Sequence, residues 1–322
     1  MAIEATEAEA PSSRATRAGP AGTGRTHRPS GEPVDIHFAR ADAGRARALT
    51  GTASPFTIEV RFLGGLTDTE QAAFAAAADR WARVIVGDLP DIQIGDDLID
   101  DVLILAQGKE IDGPGRILGS AHPTHVRVAP DGSWQQPCRG EMSFDVADLA
   151  AMTADGTLRD VITHEMGHVL GIGGGVWDHR NLVADGPVGP DGLPNPVFVG
   201  PTAMAEYGWL VGGPDGAPVP VPVENHGGSG TFGAHWRESV FDAELMTGFV
   251  DPGGNPMSRV TVGSLADLGY DVDLAAADPY TLPSPALLAD RAGRRSRVVH
   301  PAAAVVGPGM LPAPEPVLVV VR

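Results

Sequence analysis

Thr163-His164-Glu165-Met166-Gly167-His168-Val169-Leu170-Gly171 decides how this chain is read. Residues four apart on a helix lie one turn above each other, so His164 and His168 can address one ion while Glu165 stands beside it. The spacing H-E-x-x-H is that of a zinc hydrolase, in which two imidazoles bind the metal. The carboxylate takes a proton from the attacking water and passes it to the leaving amine. Catalytic zinc needs a third protein ligand and an open fourth position.

The residues before the motif support a helix from Thr157 or Leu158 through His168, with Leu158, Val161, Ile162 and Val169 buried. Gly171 and the run Gly173-Gly174-Gly175 then permit the positive φ that ends a helix and swings the chain away. Gly171 falls three residues after His168, as in the longer motif H-E-x-x-H-x-x-G-x-x-H, but Gly174 stands where the third histidine is due. The residues alone leave the third ligand open among His179, Glu206, His226 and His235, with Asp178 a weaker candidate.

Upstream, Phe56 to Phe62 alternates as a half-buried strand does. Thr67 or Asp68 can cap a helix to about Ile85, with Phe74, Ala78, Trp81 and Val84 on one face. Val102 to Ala106 reads as a central strand, and Ile117 to Ala121 and Thr124 to Val128 as two more, broken at Pro123. Asp145 and Asp148 could hold calcium, but their spacing fits no EF-hand loop, and the plainer reading is helix caps or solvated carboxylates. Calcium is thus possible but unsupported.

Downstream, residues 176–235 are heavy in Gly and Pro, with a possible helix at Pro201 to Tyr207, and read as a large loop-built insertion. Met257 to Leu268 predicts a final helix, with Gly269 just beyond its end. Residues 279–322 form a Pro/Ala-rich tail in which Val317 to Val321 could add an edge strand. Residues 1–52 lack apolar periodicity and read as a flexible arm or a pro-segment.

His235 lies in Gly233-Ala-His-Trp-Arg-Glu-Ser-Val-Phe241, and Glu244-Leu-Met-Thr-Gly248 follows. With HEMGHVLGIG at 164–173 and SRVTVGSLADLGY at 258–270, these stretches resemble the leishmanolysin family of metzincin peptidases. There an insertion separates the glycine from the third zinc histidine and a Met-containing turn follows. The resemblance extends more loosely over 56–273. It implies zinc bound by His164, His168 and His235, Glu165 as base, and Met246 as the Met-turn floor. It also implies an α+β metzincin-like zincin fold: a twisted mixed sheet with long helices in an upper subdomain (53–175), and an irregular lower subdomain (176–278) with a C-terminal helix. By the same likeness an extended peptide would lie against an edge strand from the 116–128 region, with residues 226–233 as the opposite wall.

Two rival functions stay in view. One is a catalytically silent relative that keeps the fold as a binding module, against which intact Glu165 argues. The other is a gluzincin-type peptidase with Glu206 as third ligand, against which Gly171 argues. A structural zinc site would need a fourth protein ligand, and none is obvious.

Composition bounds the rest. Hydrophobic residues make up 43% of 322, enough for a core, while 42 Gly and 29 Pro predict many irregular connections. Residues 51–280 hold 33 acids against 11 bases, a field that disfavours nucleic acid and anionic membranes as partners and mildly favours basic peptides. Cys138 is the single cysteine, so no internal disulfide and no cysteine switch in the first 50 residues are expected, and a plain buried thiol is the reading for it. The first 20 residues carry acids early and no apolar stretch of signal-peptide type, whereas the family likeness suggests export.

Overall fold

The computed structural model describes residues 23–27, 33–115, 118–189, 192–227, 230–251, 253–284, 286–288, 304–305 and 315–321. The chain opens with strands β1 (Thr23–His27) and β2 (Pro33–Arg40) and helix α1 (Ala43–Thr50). Strand β3 (Thr57–Phe62) and helix α2 (Asp68–Val84) follow, then the hairpin β4 (Ile92–Ile94) and β5 (Asp97–Ile99) and strands β6 (Val102–Lys109), β7 (Gly119–Val128) and β8 (Trp134–Asp145). Two helices come next, α3 (Val146–Asp155) and α4 (Leu158–Val169), the second carrying the motif.

Seven strands form one mixed sheet in the order β1-β2-β3-β6-β8-β7-β14, where β14 is Val317–Val320. β3, β6 and β8 run parallel, and β7 returns antiparallel to β8. The fold is therefore α+β with a mixed sheet. Apolar alternation explains the strands, since Ile58, Val60, Ile104 and Met142 are all buried.

Helix α2 begins at a capping box. Thr67 Oγ1 accepts from the Glu70 N–H, and Glu70 Oε2 accepts from the Thr67 N–H at 2.7 Å. Its buried face carries Phe74, Ala78, Trp81 and Val84 at the expected spacing. The Trp81 indole N–H donates to the carbonyl of Thr163 at 2.9 Å, tying α2 to the residue before the motif. Arg127 of β7, fully buried, donates to the carbonyls of Pro90, Pro137 and Asp101. It fixes the strand beside the β6 entrance.

Three expectations need correction. Residues 119–128 form one strand with register shifts at Pro123 to Val128, not two, because the chain bulges past proline without leaving the ladder; residue 117 lies outside the described residues. The described part of 1–52 includes β2, paired to β3, and α1, whose Asp42 cap accepts from the Arg45 N–H. Val34, Ile36 and Ala39 bury themselves there, a pattern too short to register as periodicity. The stretch 176–235, read as loop-built, holds α5 (Gly174–His179) and a three-stranded sheet of β9 (Val183–Gly186), β10 (Asn195–Phe198) and β11 (Val221–Pro222), while α6 (Pro201–Leu210) covers the helix expected at Pro201 to Tyr207.

After α7 (Glu238–Phe241) and β12 (Phe249–Val250) comes helix α8 (Arg259–Asp267), capped by Ser258 and ended by Gly269 at φ +89°. Strand β13 (Ala304–Val305) pairs with β12. Most of the tail expected as extended, 289–303 and 306–314, lies outside the described residues. None of the helices among the described residues is long and apolar enough to cross a membrane.

Candidate metal centre

Helix α4 buries Leu158, Val161, Ile162 and Val169 and turns His164 and His168 toward a common point. It ends as the glycines dictate. At Gly171, φ +99°, the chain folds back so that the Ile172 N–H donates to the Gly167 carbonyl and the Ile172 carbonyl returns to His168.

His235 arrives from 67 residues beyond His168. Its Nε2 stands 3.1 Å from the Nε2 of both His164 and His168, which are themselves 3.0 Å apart. Each ring is held from behind. The Nδ1 of His164 reaches the Leu245 carbonyl at 2.7 Å, that of His168 the Ile172 carbonyl at 2.8 Å, and that of His235 the Thr231 carbonyl at 3.3 Å. A carbonyl only accepts, so each Nδ1 carries the proton and each Nε2 presents a lone pair to the centre.

Three lone pairs aimed at one another repel unless a cation sits between them, so the donor set fits a metal ion held by imidazole nitrogens. Burial keeps the rings neutral, as ligands must be. It pushes His164 well below the usual histidine value, helped by His168 and His235, lowers His168, and takes His235 down to about 3.

Glu165 is 1% exposed, its Oε2 has no hydrogen-bond partner, and burial raises its carboxyl to about 8. A buried carboxylate oxygen without a donor is costly in a folded protein, and this one lies in the sequence next to His164.

Met246 is fully buried under α4, where a Cβ placed on Gly167 would lie 2.9 Å from its Sδ. The turn around it is held by Glu244, a buried residue to which the sequence reading gave no role. Its carboxylate accepts from the Met246 N–H at 2.6 Å, from the Ser258 N–H and hydroxyl at 2.9 and 2.7 Å, and from the Thr261 hydroxyl at 2.5 Å. Burial raises the Glu244 carboxyl, and these donors pull it partly back. The Trp236 indole N–H donates to Thr261 in turn, so the residue after His235 joins the network. The only sequence signal was two carboxylates, Asp242 and Glu244, between the apolar Phe241 and Leu245.

The other candidate ligands are engaged elsewhere. Glu206 makes a two-pronged ion pair with Arg259 at 2.6 and 2.8 Å. His226 is largely exposed and 3.5 Å from Glu224, His179 stacks on Trp134, and Asp178 is exposed. Asp145 caps α3 through the Ala147 N–H, and its other oxygen accepts from Ile111, Asp112 and Gly113, while Asp148 accepts from Gly115. Cys138 is buried, and burial raises its thiol.

A sequence model of the family described as Leishmanolysin matches residues 120–283, from β7 through the last helix and both histidine stretches. A leishmanolysin homolog of Crithidia fasciculata is 30% identical over 137 residues, which is 42% of this chain and 20% of that protein. The chain thus matches about a fifth of the length of this curated relative.

Proposed function

The chain belongs to the leishmanolysin family, and from that premise we propose that it is a zinc-dependent endopeptidase hydrolysing peptide bonds, with Glu165 as general base. The observation that carries the reading is the convergence of three Nε2 atoms within 3.0–3.1 Å, each Nδ1 anchored on a carbonyl and an unpartnered carboxylate alongside. His164, His168 and His235 hold the metal, and Met246 lines the floor beneath them. Zinc bound there supplies Lewis acidity to water and to the scissile carbonyl.

The chain's own residues do the rest. Glu165 accepts a proton from the water that adds to the peptide carbonyl and delivers it to the amine as the C–N bond breaks. Burial raises its carboxyl, which makes it a stronger proton acceptor when ionised. The carbonyls of Leu245, Ile172 and Thr231 fix the imidazole tautomers. Residues 53–175 act as the subdomain carrying the motif helix, and 176–278 as the one carrying His235, the Met-turn and the closing helix. The substrate is an extended peptide or protein segment.

Casein cleavage by the zinc-loaded chain tests this. Activity should vanish with phenanthroline and fall by at least about a hundredfold in Glu165→Ala while zinc is retained. Full activity in that variant rejects Glu165 as the base, and zinc-loaded protein that cuts nothing rejects the enzyme and favours a silent binding module.

A further inference from the structure

Strand β14 occupies a particular edge. It pairs in parallel with His125–Val128 of β7, with Val317 opposite His125 and Val320 opposite Val128. The other side of β7 is taken by β8, so β14 covers the side on which β7 would otherwise be the margin of the sheet. Along Gly119–Thr124 that side has no partner strand among the described residues.

This margin belongs to the neighbourhood of the motif helix. Gly140, opposite Pro123, approaches α4 so closely that a Cβ there would lie 2.4 Å from Val169 Cγ1 and 2.9 Å from the His122 carbonyl. Val169 is the residue after His168. An extended peptide adding to the sheet beside the metal centre has this margin of β7 to pair with.

The covering strand is built for exchange rather than permanent packing. Val317, Leu318 and Val320 are 57%, 47% and 56% exposed, so few buried contacts hold them and backbone hydrogen bonds provide most of the attachment. Its direction is set by parity. The Val321 N–H donates to the Val128 carbonyl at 2.9 Å, so odd-numbered residues face β7 and even-numbered ones face outward. Pro316 falls in the outward set. Proline facing outward stops a further strand from joining without costing the inner ladder a donor.

We propose that Val317–Val320 is a peptide surrogate in cis. It holds the β7 margin that an extended, β-branched apolar peptide would use, and must leave for a long substrate to pair along the full strand. The proposal rests on the peptidase reading above and adds a regulation of the same site.

The test uses the full chain with single prolines of opposite parity. Val319→Pro deletes a donor aimed at β7, whereas Leu318→Pro changes an outward position, as Pro316 already does. The probe is a fluorescein-labelled synthetic peptide, Glu-Pro-Val-Leu-Val-Val-Val, read by anisotropy, together with hydrogen exchange at the Val128 amide. Val319→Pro should expose that amide and bind the probe about tenfold more tightly than wild type, since the tethered occupant no longer lowers the competent fraction. It should also lower KM for casein with kcat little changed, and Leu318→Pro should match wild type. Equal probe binding in wild type and in the double variant Val317→Pro/Val319→Pro, which cannot pair, overturns the proposal. Probe binding confined to Val319→Pro with no casein cleavage in any form rejects the peptidase reading alone.

Discussion

His164 donates from Nδ1 to the carbonyl of Leu245, 2.7 Å away, and Leu245 is the residue before Met246. One hydrogen bond therefore links the first histidine of the motif to the turn beneath it, across 81 residues of chain. Glu244 holds that turn in place, and the orientation of His164 depends on it.

Replacing Glu244 should act on metal binding as well as stability. Glu244→Ala leaves four buried donors without their acceptor and should cost about 3–5 kcal/mol in urea unfolding. Glu244→Gln, which keeps the shape, should cost less and still weaken zinc about tenfold to a hundredfold in chelator competition. Unchanged zinc affinity in a folded Glu244→Gln would show that the turn does not position His164.

Gly173 allows a contact that no other residue permits. Its φ of +85° with ψ of 170° is nearly confined to glycine, and a Cβ there would lie 2.2 Å from the carbonyl oxygen of Ala234, the neighbour of His235. Gly173→Ala should lose at least about 2 kcal/mol and reduce the rise in Tm on adding zinc. Gly175→Ala, where a Cβ meets nothing within 4 Å and the backbone is not left-handed, should change both much less. Equal effects at the two positions would contradict the contact.

Much of this site was legible because it is local. H-E-x-x-H fixes helical spacing by itself, and Thr67 and Gly269 announce helix ends by chemistry that acts within a turn. His235 was reached by resemblance, since no local rule couples residues so distant in sequence. Glu244 and Arg127 were not found, because a charged residue reads as surface until its partners, supplied by other elements, are known. The strand β8 and helix α3 went unread for a similar reason. The polar Gln135, Gln136 and Arg139 break the strand's apolar pattern, and they are accommodated only through contacts such as Gln136 to the Leu268 carbonyl.

Asp145 predicts a pH dependence far from the metal. Burial pushes its carboxyl up, but the N–H groups of Ala147, Asp112, Gly113 and Ile111 outweigh that and leave it below the usual value. Its contribution is present above the unfolded pKa of roughly 3.9 and is lost as pH falls through the lower folded value. Asp145→Asn should therefore be about 1–3 kcal/mol less stable than wild type at pH 7, with the gap closing as pH falls below the unfolded value and through the lower folded one. A gap that stays constant from pH 7 to pH 2.5 would refute the assignment.

The central claim is that His235 joins His164 and His168 around one ion. Zinc per chain, measured by elemental analysis after dialysis, tests it most directly in wild type and in His235→Ala. The account predicts about one zinc in wild type and a value near zero in a folded His235→Ala. One zinc retained in that variant would contradict it.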